Sequence, residues 1–126
     1  MTRVGVMGLL VCAALCVPGA QAAEPDAVKK LFTKVVGAIE AGDRKEFVVD
    51  ATDAVKEGTT DKIMESLNKQ IGTRLKAGYD ATYLCELKQA GYQVYLWKVT
   101  FKDKGDDVVV RMAINKDGKL AGFFLQ

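Results

Sequence analysis

The chemistry open to this chain is limited first by a residue it lacks, since none of its 126 residues is histidine. That removes the commonest general base, the Ser-His and Cys-His nucleophile systems and most zinc and iron sites. No glycine-rich phosphate loop, cysteine pair or EF-hand spacing is present either. Asp103, Asp106 and Asp107 share a segment with Lys102 and Lys104. Calcium would need more oxygen ligands in fixed order, so the segment reads as a solvated turn and no metal site is expected. Cys85 stands beside Leu84 and Leu87 with no cation or base near it in sequence. It is expected to be a buried thiol used as a small hydrophobe. Arg111 lies among valines in a strand pattern and should point to water or pair across strands with Glu86. Tyr83, Tyr95, Trp97 and Phe101 concentrate the aromatic surface. Trp97 and Phe101 suit plain core packing, and the alternative is a pocket wall or a dimer contact. Tyr83, Tyr95 and Trp97 are therefore the candidate ligand-binding residues. No catalytic residue can be assigned from the pattern, and no cofactor is implied.

The segments that position these residues begin with an export signal. Arg3 gives a positive start, residues 4–17 form a nearly unbroken apolar run, and Ala20-Gln21-Ala22 is a small-x-small cleavage site. A run of fourteen falls short of the roughly 20 residues a spanning helix needs, so no stable membrane anchor is expected after cleavage. The reading is a signal peptide at 1–22 and one domain at 23–126, exported to the periplasm or secreted. Cys12 and Cys16 leave with the signal, so Cys85 has no internal disulfide partner. Beyond residue 22 the basic and acidic side chains number 17 and 16. That near-neutral balance gives no electrostatic footprint for nucleic acid or anionic lipid.

Val28, Leu31, Phe32, Val35, Val36 and Ile39 share one helical face, with Pro25 near its start and Gly42 past its end. A second helix is expected from Asp43 to Gly58, carrying Phe47, Val48, Ala51, Ala54 and Val55 on one side, although its β-branched Val48, Val49 and Thr52 weaken it. A third starts at Thr60 or Asp61, presents Ile63, Met64, Leu67, Ile71 and Leu75, and ends at Gly78. The period then becomes extended, with strands expected at 81–88, 92–102, 108–115 and 119–126. The breaks at Gln89-Ala90-Gly91, Asp103-Lys104-Gly105-Asp106 and Asn115-Lys116-Asp117-Gly118 are short, which forces an antiparallel meander. Gly118 should take positive φ, with Leu120 and Phe124 on one face of the last strand and Phe123 and Leu125 on the other. In the third strand Val108, Val110, Met112 and Ile114 make a fully apolar face. In the second, Tyr95, Trp97, Val99 and Phe101 alternate with Tyr92, Val94 and Leu96, so both faces are apolar and both want a cover.

Three helices, a four-stranded meander and the closing run from Asn115 to Leu125 resemble the small cystatin-like, NTF2-like α+β fold, in its exported uncharacterised branch. The resemblance spans residues 25–126 and implies N-terminal helices packed on a curved four-stranded antiparallel sheet that encloses a conical pocket. Enzymes of that superfamily place a carboxylate and a tyrosine or second acid in the pocket, and the positions available here are Asp50, Asp53 and Glu86 with Tyr83 and Tyr95. Three functions follow as expectations. The first is an exported module that binds a small apolar ligand or a partner protein through its pocket or sheet face. The second is an isomerase- or lyase-type enzyme using a buried carboxylate and a tyrosine. The third is a structural homodimer joined through the face bearing Tyr92, Val94 and Leu96.

Overall fold

The computed structural model describes residues 23–126; the expected signal peptide at 1–22 lies outside them. No described helix is long and apolar enough to cross a membrane. The first helix, α1 (Asp26–Ala41), follows the apolar spacing: Val28, Phe32, Val35, Val36, Ala38 and Ile39 are buried. Gly42 closes it in the left-handed region at φ 70°, its N–H bonded to the carbonyls near the helix end.

The long second helix does not form. Two short helices stand in its place, α2 (Arg44–Val48) and α3 (Asp53–Gly58). Asp43 caps α2 as expected, its carboxylate accepting from the Glu46 N–H at 3.1 Å. The chain between them is taken over by a β-type contact: Leu120 N–H donates to Asp50 O at 2.8 Å, and Thr52 N–H donates to Leu120 O at 2.9 Å. Ala51 thereby bridges to Leu120, and the Thr52 hydroxyl is freed to cap α3 at the Val55 N–H. The β-branched run supplies little helical preference to resist that pairing.

The third helix is interrupted in phase rather than broken. It runs as α4 (Asp61–Leu67), a π-helical turn (Asn68–Gly72) and α5 (Thr73–Ala77), capped by Thr60. Met64, Ile71 and Leu75 are buried, but Ile63 is exposed. Ile63 lies about 100° round the helix from Met64 and here falls on the exposed side. The wide turn lets the Asn68 side chain donate to Ile39 O at 2.9 Å and Glu40 O at 3.1 Å, covering carbonyls at the end of α1.

The sheet is an antiparallel meander in the order β1 (Tyr79–Gln89), β2 (Tyr92–Phe101), β3 (Val108–Ile114) and β4 (Leu120–Leu125). A two-residue turn at Ala90-Gly91, with φ of 51° and 86°, joins β1 to β2. Gly118 sits at φ 79° as expected, and the Asn115 side chain accepts from the Asp117 and Lys119 N–H groups beneath it. Two bulges interrupt the register, one between Tyr83 and Cys85 and one opposite Ala113 and Ile114. The second corrects the expected faces of β4. Leu120 pairs with Ile114 and is fully buried, on the core side with the partly buried Phe123 and Leu125, while Phe124 turns outward. One extra residue in the strand is enough to flip the alternation.

The core lies between the helices and one sheet face, formed by Tyr95, Trp97, Val99, Phe101, Val110, Met112, Ile114 and Leu120. The class is α+β, helices packed on a four-stranded antiparallel sheet, as expected.

Candidate functional site

Tyr83, Tyr95 and Trp97 come together on the inner sheet face, because Tyr83 pairs in register with Trp97 and Tyr95 lies two residues before it on β2. Trp97 is the centre. Phe32 of α1 stacks on it at 4.2 Å between ring centroids, Tyr83 meets it edge-on at 5.9 Å, and Tyr95 lies tilted at 6.4 Å. The indole is buried, and its N–H donates to the Glu24 carboxylate at 2.8 Å. The Tyr83 hydroxyl oxygen is also buried and has no hydrogen-bond partner among the described residues. Burial, then the nearby Glu86 charge, holds this phenol's pKa above its ordinary value. The open space beside Trp97 is a cleft of about 120 Å³ that also reaches Glu24, Lys29, Phe32, Thr33 and Tyr79.

The carboxylates do not join this cluster. Asp50 is half-exposed and accepts from the Lys34 ammonium at 2.9 Å, while the same ammonium lies 3.5 Å from Glu46. That hydrogen bond with Asp50 raises the pKa of Lys34. Asp53 is exposed in the first turn of α3. Glu86 is exposed at the sheet edge and accepts from the Gln93 amide. None of the three hydrogen-bonds to Tyr83 or Tyr95, so the carboxylate–tyrosine pair of the enzymatic reading is not assembled. No group of three or more metal-ligating side chains occurs among the described residues.

Two further expectations are corrected, for Cys85 and the aspartate loop, and one of the two alternatives for Arg111 is removed. Cys85 is exposed, because the bulge sets it opposite Leu96 on the uncovered outer face. Of the two placements expected for Arg111, the outward one holds, on the open face of the sheet, and the pairing with Glu86 does not form. Its strand position pairs with Leu96 and Phe124, on the opposite face from the Glu86–Tyr95 row, and it donates to the Gln89 side chain with its guanidinium 5.9 Å from the Phe124 ring. The aspartate loop is not simply solvated. Arg74 grips Asp103 with a fork of 2.7 and 3.2 Å, donates to Asp106 O at 2.8 Å, and lies 3.8 Å over the Phe101 ring. No sequence spacing announces a contact between positions 29 apart.

The outer face carries the surplus apolar surface. Val94 is buried there, and Leu87, Tyr92 and Phe124 are each 40–53% exposed on the same face, with the bulge residue Leu84 exposed beside them. A wider groove of about 480 Å³ opens elsewhere, between α1 and the β3–β4 turn, with Val28, Leu31 and Ile114 at its base and Lys30, Lys34 and Lys119 around it.

No family model matches the chain, and no curated protein matches it. Among solved structures it is similar to an uncharacterized cystatin fold protein from Novosphingobium aromaticivorans, at 18% identity over 77% of this chain and 95% of that one, with a TM-score of 0.42. It is also similar to an NTF2-like protein of unknown function from Cytophaga hutchinsonii, at 7% identity over 84% of this chain and 93% of that one, with a TM-score of 0.40.

Proposed function

We propose that this chain is an exported binding module that engages a protein partner through the outer face of its sheet. The observation that carries the reading is that Leu87, Tyr92 and Phe124 are exposed on one face of the sheet that no described helix covers. Exposed apolar groups scattered singly need no explanation, whereas a contiguous patch on a sheet marks a contact surface. Aromatic anchors and an arginine suit such a surface, and Tyr92, Phe124 and Arg111 supply them here. Export rests on Arg3, the apolar run and Ala20-Gln21-Ala22. Cys85 lies on the same face and is free, so it reports on cover. Its labelling by a maleimide is expected to be slow in the fluid or envelope fraction of the source cells and fast in purified protein. Phe124→Lys is expected to restore fast labelling in the cell fraction. Equal rates in cells and in purified protein would end this reading.

A second reading, a small apolar ligand, is favoured by the groove over Val28, Leu31 and Ile114, whose volume lies within the usual range of ligand sites, about 300–1,000 Å³. The cleft beside Trp97 falls well below that range. Lipids, sterols and cell-wall fragments that bind the folded chain in the groove should raise its thermal midpoint, and Leu31→Asp should abolish the rise.

A further inference from the structure

The one tryptophan of the chain receives its acceptor from outside the helix–sheet core. Trp97 is 1% exposed, and a buried indole N–H needs a partner. Glu24, 73 positions away and two residues before α1, provides it at 2.8 Å. The backbone there is extended, with Pro25 at φ −63° and ψ 138°, and no side chain caps the helix at this point. The Glu24 carboxylate is therefore brought to the indole by a short strap rather than by a helix or strand.

The cleft around this contact has more to offer a carboxylate than one donor. The aromatic residues Phe32 and Tyr79, the hydroxyl-bearing Thr33 and the cationic Lys29 all line it. Its free volume of about 120 Å³ equals roughly four water molecules at about 30 Å³ each, enough for a short apolar tail. The indole nitrogen can only donate, so it selects acceptors, and a charged acceptor makes the stronger bond.

We propose that this cleft is a binding site for small carboxylates with a short apolar tail, and that Glu24 is a tethered stand-in that occupies it in the free protein. The ligand's carboxylate accepts from the Trp97 N–H, its tail runs between Phe32 and Tyr79, and the strap swings away when displaced. A tethered group competes at an effective concentration on the order of millimolar, so the strap sets a threshold that a free ligand must exceed.

The test is a titration of the full chain and of Glu24→Ala with sodium butyrate at constant ionic strength, with butyramide as the uncharged control. Trp97 is the sole tryptophan, so its emission reads the site directly. The expected result is a saturable change in Glu24→Ala at a butyrate midpoint about ten-fold or more below that of the unaltered chain, as removal of a tethered competitor predicts. Butyramide should produce no such change, and butyrate should raise the thermal midpoint of the alanine variant. Indistinguishable midpoints in the two proteins, no saturable change in the variant, or an equal response to butyramide would overturn the proposal. If Glu24→Ala does not fold, Glu24→Gln is titrated in its place: its amide remains on the indole as a weaker, uncharged competitor, so a butyrate midpoint below that of the unaltered chain is still expected, and an indistinguishable midpoint overturns the proposal.

Discussion

Tyr83 and Asp103 show how differently two polar side chains can be settled by their surroundings. The Tyr83 hydroxyl is buried without a partner among the described residues, so nothing among them offsets its lost hydration. Tyr83→Phe is expected to leave stability unchanged or to raise it by up to about 1 kcal/mol, measured by urea unfolding. A loss of similar size would show that the hydroxyl has a partner. Asp103 is fully engaged: the Arg74 hydrogen bond first, and the Gly105 N–H second, hold its carboxyl below its ordinary pKa of 3.8. A carboxyl whose pKa is lowered by folding stabilises the fold above its unfolded value and loses that contribution as pH falls through the lowered one. Arg74→Ala should move Asp103 back toward 3.8 in an NMR titration and flatten the pH dependence of stability in that acid window. An Asp103 titration unchanged by the substitution would contradict the grip seen here.

At the scale of elements, the π-helical turn and the last hairpin each depend on one glycine. A Cβ on Gly72 would come within 2.6 Å of Asn68 Nδ2, the atom that donates to the carbonyls at the end of α1. Glycine to alanine inside a helix ordinarily stabilises by up to about 1 kcal/mol. Gly72→Ala is expected to do the reverse and cost about 1–3 kcal/mol, because the clamp on α1 must open and leave carbonyls without a partner. Its urea midpoint gives the sign. Gly118→Val should also destabilise, by about 1 kcal/mol or more, although a Cβ there meets open space. The cause is the backbone at φ 79°, which a β-branched residue tolerates poorly. An unchanged midpoint would mean that the turn can relax without disturbing β4.

For the molecule as a whole, the outer sheet face is the surface proposed to meet a partner, and a second copy is one candidate to test there. A two-fold contact needs only one self-complementary patch. If a second copy is the partner, light scattering of purified protein at micromolar concentration should give twice the monomer mass, and Phe124→Lys should return it to monomer. A monomer throughout would rule out a second copy as the partner. The sequence by itself determined the α+β class, the face of α1, the four strands to within about two residues, the meander and the positive φ of Gly118. Each of these follows from local periodicity or turn chemistry, which a few neighbouring residues specify. Tertiary structure decided the rest. Pairing of Ala51 with Leu120 split the second helix, two bulges turned Cys85 outward and Leu120 inward, and Arg74 captured the aspartate loop. It also drew Tyr83, Tyr95 and Trp97 into one cluster, left Asp50, Asp53 and Glu86 outside it, and set Glu24 on the indole. These outcomes join residues far apart in the chain, where the gain comes from a specific partner's position in space, and no periodicity in the sequence encodes that position.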